Sequence, residues 1–188
     1  RYTGEDDLVV GTPVANRARV ELEGLVGLFA NTLVLRCDAS GDPTVAELVA
    51  RCRETVAGAL AHEAMPFERL VAELNPERTL SHSPLFQVLL SLQAGAIERP
   101  LVLQGVAARR LALPANHTKF DLEVTVVAAA DGGPGSRLAY STDLFERSTA
   151  ERLARHLARA LAAMADDPSR RIGRLPLLDE TERERLLP

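Results

Sequence analysis

Val26-Gly27-Leu28-Phe29-Ala30-Asn31-Thr32-Leu33-Val34-Leu35-Arg36-Cys37 runs into Ser40-Gly41-Asp42-Pro43-Thr44-Val45, and this join decides the fold class. Asn31 to Cys37 is rich in β-branched and leucine side chains and starts on two small polar residues, which predicts a strand. Gly24 to Phe29 before it is a short apolar stretch between glycines and reads as about one helical turn. After the strand the period changes. Asp42 suits an N-cap and Pro43 the first helical position. Val45, Leu48, Val49, Cys52, Val56 and Leu60 then fall on one face of a helix.

The pattern continues outward on both sides. Asp7 to Val14 reads as a strand closed by Gly11 and Pro13. His62 to Met65 ends the helix, Pro66 restarts it, and Phe67, Leu70, Val71 and Leu74 make a second stripe. Ser83-Pro84 marks a loop. Leu85 to Leu92 reads as a buried strand, Leu101 to Leu113 as one or two more, and Phe120 to Val127 as another. Asp131 to Gly135 predicts a hairpin loop with a short return strand over Leu138 to Thr142. Glu146 to Ala165 predicts a long helix with Leu153, Leu157, Leu161 and Met164 as its stripe, ended by Asp166-Asp167-Pro168. Ile172 to Leu178 is extended. Asp179 opens a last helix, with Glu182 as its capping-box partner. Strands, two helices, more strands and a helix make an α+β fold, a mixed or antiparallel sheet with helices packed against it.

Composition narrows the function classes. The 188 residues fit one domain or one large lobe, and a hydrophobic fraction of 46% can build a core. A net charge of −4 gives no electrostatic footprint for nucleic acid or an anionic membrane. The only lysine is Lys119, so the positive charge is almost all arginine. No apolar run approaches the ~20 residues of a membrane span, and the polar, acidic start is not a signal peptide. The chain lacks a starting methionine and reads as beginning within a larger polypeptide. Cys37 and Cys52 lie outside any CxxC pattern and are expected as free thiols in a cytoplasmic protein.

Catalytic constellations are absent. The four histidines, His62, His82, His117 and His156, are never adjacent. His62-Glu63 lacks the second histidine that a zinc helix needs. No GxSxG and no GxxxxGK(S/T) occurs. Asp6-Asp7 and Asp166-Asp167 are consecutive, so their carboxylates point apart rather than across a substrate. Asn116-His117-Thr118 fits a glycosylation sequon that a cytoplasmic protein has no use for.

Four stretches together resemble nonribosomal peptide synthetase condensation domains. Val9 to Arg17 (VVGTPVANR) looks like the family's VVGTPVAGR, with Asn16 where glycine is usual. Val26 to Arg36 (VGLFANTLVLR) is similar to (I/V)GxFVNTLxLR. His62 to Glu68 (HEAMPFE) resembles HQDxPFE, with Glu63 and Ala64 departing from it. Arg78 to Val88 (RTLSHSPLFQV) resembles RDxSRxPLFQV. Leu177 to Leu187 looks like a linker toward an adenylation domain. The resemblance spans the chain but omits the family's first half, including its HHxxxDG loop.

The resemblance implies a chloramphenicol-acetyltransferase-like C-terminal lobe over residues 1–172, with 173–188 as linker. Such a lobe forms one wall of a channel in which an acceptor amine attacks a donor thioester. Its partners are the N-terminal lobe, donor and acceptor carrier proteins bearing phosphopantetheine, and a following adenylation domain. No cofactor is bound directly and no metal is implied. No catalytic residue falls in this stretch, and the isolated fragment is expected to be inactive.

Two residues are the candidates for a channel or lobe-interface role. Asn31 either faces the channel, positioning substrate or the histidine loop, or serves as a turn residue bonded to its own backbone. Arg17 either pairs with the aspartate of the HHxxxDG loop or is a plain exposed arginine. Phe29 and Phe67 read as core, Met65 as gap-filling core, and Arg78 and Ser81 as fixing the turn before Leu85. His62 reads as a helix end, and His82 receives no role. Lys119-Phe120-Asp121-Leu122 and Leu74-Asn75-Pro76 lean toward members that take a D-configured donor. Three other readings remain: a non-catalytic relative that recruits a partner enzyme to the assembly line, an epimerase relative, and an unrelated α+β interaction domain.

Overall fold

The computed structural model describes residues 2–76, 83–93, 104–106, 118–128 and 134–186. Five strands form one mixed sheet in the order β2-β1-β3-β4-β5. They are β1 (Asp7–Val14), β2 (Asn31–Asp38), β3 (Val88–Gln93), β4 (Leu122–Ala128) and β5 (Pro134–Tyr140). β1 pairs antiparallel with β2 and parallel with β3 at Gly11 and Leu89. β3 and β4 run parallel, while β4 and β5 run antiparallel. The helices are α1 (Val20–Glu23), α2 (Val45–Ala61), α3 (Phe67–Leu74), α4 (Arg147–Asp166) and α5 (Glu180–Leu186). The α+β expectation with a mixed sheet is met.

Several boundaries move, each for a local reason. Asp42 is not the cap of α2. It sits at φ 48°, and Thr44 caps the helix instead through a reciprocal bond with Glu47. The Asp42 carboxylate accepts the Gly173 N–H at 2.6 Å. The return strand of the hairpin starts at Pro134, paired with Ala128, so Pro134 and Gly135 belong to the strand. Proline is tolerated there because β5 is an edge strand and Pro134 is its first residue. Leu85 to Gln87 precede β3 rather than extend it. Apart from 104–106, which belong to none of the five strands, the stretch 101–113 where strands are expected lies outside the described residues, as do the loop at 131–133, Arg78 to His82, Asn116 and His117.

α4 presents a different face from the leucine stripe. Ala150, His156 and Ala163 are its buried residues, whereas Leu157 and Leu161 are exposed. The polar His156 turns inward because it finds two partners there. Its Nδ1 is bonded to Tyr2 Oη, and its Nε2 lies 3.1 Å from Glu182 Oε2. Glu182 also takes Arg159 Nη1 at 3.3 Å, and Arg159 Nη2 reaches Asp179 at 3.0 Å. The expected Asp179–Glu182 capping box forms, with N–H bonds of 3.1 and 2.7 Å.

Residues 173–186 are folded onto the lobe. Leu175 packs with Val45 and Ala163 in a buried cluster flanked by Met164 and Ile172. Backbone bonds from Val45 N to Arg170 O (2.9 Å) and from Ile172 N to Pro43 O (3.0 Å) sew this segment to the start of α2. Small side chains on α4, such as Ala160, help leave a cavity of about 750 Å³ between α4 and the sheet, lined mainly by aliphatic groups including Leu8, Val124 and Leu138.

Candidate functional site

Three of the sequence motifs meet at the edge where β2 begins, and the described part of the fourth joins them through Phe86, which packs on Phe67. Asn31 is the first residue of β2 and is half-buried. Its Nδ2 donates to Glu63 O at 2.9 Å and to Met65 O at 2.7 Å. Its Oδ1 accepts the Phe67 N–H at 3.1 Å. Both amide protons and one oxygen lone pair are thus committed to the turn between α2 and α3. Pro66, the N-cap residue of α3, supplies no side-chain capping bond. Asn31 caps that helix from another segment of the chain, and the backbone it bonds is not its own turn.

Arg17 follows β1. The Asn16 before it takes φ 50°, the left-handed conformation where glycine costs least and asparagine is tolerated. The Arg17 guanidinium lies 4.3 Å from the Phe29 ring centroid. Its Nη1 donates to Leu22 O and its Nη2 to Gly27 O at 3.4 Å. Arg17 therefore braces the segment that leads into Asn31. Two of its five N–H donors are used this way.

Aromatic packing joins the remaining motifs. Phe86 is 1% exposed. It stacks on Phe120 with centroids 5.1 Å apart and meets Phe67 edge-on at 5.8 Å. A Cβ on Gly11 would fall 2.2 Å from the Phe86 ring, so the first motif needs glycine where the fourth lays its phenylalanine. Phe67 is half-buried in this cluster, as is Phe29 under Arg17, while Met65 is 45% exposed rather than core.

Beside this edge the surface is apolar and open. Val20, Leu25, Val26 and Leu28 are all exposed, Val26 fully so. His62 caps the end of α2 through its own ring, with Nδ1 2.9 Å from Gly58 O. No group of three or more His, Cys, Asp or Glu side chains that could hold a metal ion occurs among the described residues. Cys37 on β2 and Cys52 on α2 face each other as free thiols. Burial pushes the Cys37 thiol up to about 11, with Cys52 beside it adding to the rise.

A family model described as condensation domain matches residues 1–187. The chain belongs to the condensation-domain family. It is 48% identical over its whole length to a linear gramicidin synthase of Brevibacillus parabrevis, of which it covers 4%. Among solved structures, the X-domain from teicoplanin biosynthesis aligns with a TM-score of 0.79 at 34% identity, over 94% of this chain and 41% of that one. A four-domain nonribosomal peptide synthetase with AMP and glycine bound aligns with a TM-score of 0.84 at 24% identity, over 95% of this chain and 15% of that one. The fold is thus that of a condensation-domain lobe, chloramphenicol-acetyltransferase-like, and the chain spans a small part of its curated relatives.

Sequence reasoning missed three things: the trans cap from Asn31 to α3, the brace from Arg17 to Phe29, and the buried His156. A signal for the last was present. His156 stands three residues after Leu153, on the inner face of α4.

Proposed function

We propose that this chain is the C-terminal wall of a condensation domain that forms amide bonds in nonribosomal peptide synthesis. The observation that carries this reading is the convergence of three family motifs at the Asn31 edge, with the fourth packed on them through Phe86, next to an uncovered apolar surface. The N-terminal lobe covers Val20, Leu25, Val26 and Leu28 and brings the HHxxxDG histidine to the channel. Donor and acceptor substrates arrive as thioesters on the phosphopantetheine arms of carrier proteins, and an adenylation domain follows the α5 segment. In the reaction the acceptor amine nitrogen bonds to the thioester carbonyl carbon. The C–S bond then breaks, the donor carrier leaves as thiol, and the amine loses a proton.

In this reading Asn31 is a positioning residue. With its amide protons spent on the Glu63 and Met65 carbonyls, it acts by holding the α2–α3 turn in place beside the channel. Arg17 retains donors for the aspartate of the HHxxxDG loop after bracing Leu22 and Gly27. The protein acts in the cytoplasm. No helix among the described residues is long and apolar enough to cross a membrane. The Lys119-Phe120-Asp121-Leu122 stretch resembles members that take a D-configured donor, and chiral analysis of the dipeptide product tests that subtype.

The test is reconstitution. Co-expressed with an N-terminal lobe that carries HHxxxDG, the chain is expected to convert loaded carriers to dipeptidyl carrier, read by mass spectrometry. Alone it is expected to make none, because half a channel cannot hold two reactants in attack geometry. Asn31→Ala in the reconstituted domain lowers the rate on the order of tenfold to a hundredfold, with Asn31→Ser between the two. Product from the lone chain, or an Asn31→Ala rate equal to the parent, defeats the reading. A second reading rests on the 34% identity to the teicoplanin X-domain, a member of which has been solved in complex with OxyB. There the lobe recruits a partner enzyme, and a replaced histidine in the accompanying loop distinguishes it.

A further inference from the structure

We propose that the groove between α4 and α5 is a docking site for an acidic amphipathic helix of a partner protein. The groove encloses about 940 Å³ and is lined by Arg152 and Arg155 of α4 and by Arg183 and Arg185 of α5. Its floor is apolar, built from Leu175, Leu177 and Leu178. The chain as a whole carries −4, so a concentration of four guanidinium groups around one apolar floor runs against its average.

Glu182 is the one carboxylate in the lining, and its charge is spent inward. Its Oε2 serves His156 at 3.1 Å, Arg159 at 3.3 Å and the Asp179 N–H at 3.1 Å. Its Oε1 lies 3.6 Å from Arg155. Glu180 and Glu184 of α5 do not line the groove. Arg152, Arg183 and Arg185 make no ion pair among the described residues. Unpaired arginines around a leucine floor complement a helix with carboxylates at its rims and aliphatic anchors between them. None of the rim arginines touches Asn31, Arg17 or the aromatic cluster, so this site is independent of amide formation.

The probe is a fluorescein-labelled helical peptide with glutamates on one face and leucines on the other. Its anisotropy is followed against the protein at its natural length. Saturable binding that weakens with added salt is expected. Arg152→Gln/Arg183→Gln/Arg185→Gln weakens it about tenfold or more, each rim pair contributing on the scale of a partly exposed ion pair. Ser148→Arg, at a position that lines the groove, strengthens it, and an unchanged or weakened affinity for that variant counts against the proposal should the triple variant unfold. The proposal is overturned by any of three results. One is equal binding by the triple variant at an unchanged melting temperature. Another is equal binding of a peptide with lysines in place of the glutamates. The third is equal competition by a single-stranded oligonucleotide or an anionic vesicle.

Discussion

Gly11 and Phe86 show how tightly two distant motifs depend on each other. The ring fills the space where a Cβ would sit, 2.2 Å away, and it is held on its other sides by Phe67 and Phe120. Gly11→Ala is expected to cost about 2 kcal/mol, the scale of overpacking a filled core, and denaturant melts check it. Cys37 makes a second prediction at this scale. Its thiol ionises near 11 rather than the usual 9.0, so at pH 8 it should react with iodoacetamide on the order of a hundredfold more slowly than a free cysteine. The raised value also has a sign for stability. Above pH 9 the unfolded chain gives up this proton first, so Cys37 makes stability fall as pH rises from 9 toward 11. A flat melting temperature across that range in the parent, with no difference from Cys37→Ala, contradicts this.

At the scale of elements, α5 is joined to α4 by carboxylates rather than by leucines. The Asp179 N–H, and then His156, hold the Glu182 carboxyl below the ordinary glutamate range. The Glu182 N–H, and then Arg159, do the same for Asp179. Both groups favour the docked helix when ionised. Their contribution is therefore present above the ordinary carboxylate range, about pH 4, and is lost as pH falls through their lowered folded values. Hydrogen exchange should show α5 amides losing protection on acidification before the sheet does. Glu182→Gln should release α5 at neutral pH while the β1–β2 amides keep their protection. The α2–α3 corner follows a different rule. α3 starts without a side-chain cap of its own, so its first turn depends on β2 through Asn31.

For the whole molecule, burial is uneven. Phe86 and Pro43 are the largest fully buried side chains among the described residues, while Val26 and Leu28 are 104% and 93% exposed. On α2, Val49 and Leu60 are half-exposed, although sequence periodicity places them on the helix's apolar face. Exposed apolar side chains of this extent mark a surface that another body covers, which the proposed function assigns to the N-terminal lobe. Alone, the chain is expected to self-associate as its concentration rises. Val26→Asp/Leu28→Asp should shift it toward monomer in sedimentation velocity, and the N-terminal lobe should have the same effect on the parent.

The amino-acid sequence by itself determined the elements and the family. Period-2 and period-3.6 patterns are local, so β1, β2, α2, α3 and α4 were legible to within a few residues. The capping box at Asp179 was legible because its partners stand three residues apart. Local signals also had limits: Asp42-Pro43 looked like a helix start, but Asp42 was drawn to the Gly173 N–H, 131 residues away. Only the tertiary structure decided what the candidate residues bind. Asn31 reaches carbonyls 32 and 34 residues further along, and His156 is buried because Tyr2, 154 residues before it, meets its ring. Spacing carries no information at such separations. Which polar groups meet is set by how sheet and helices pack, and a buried polar group must take whatever partner that packing delivers.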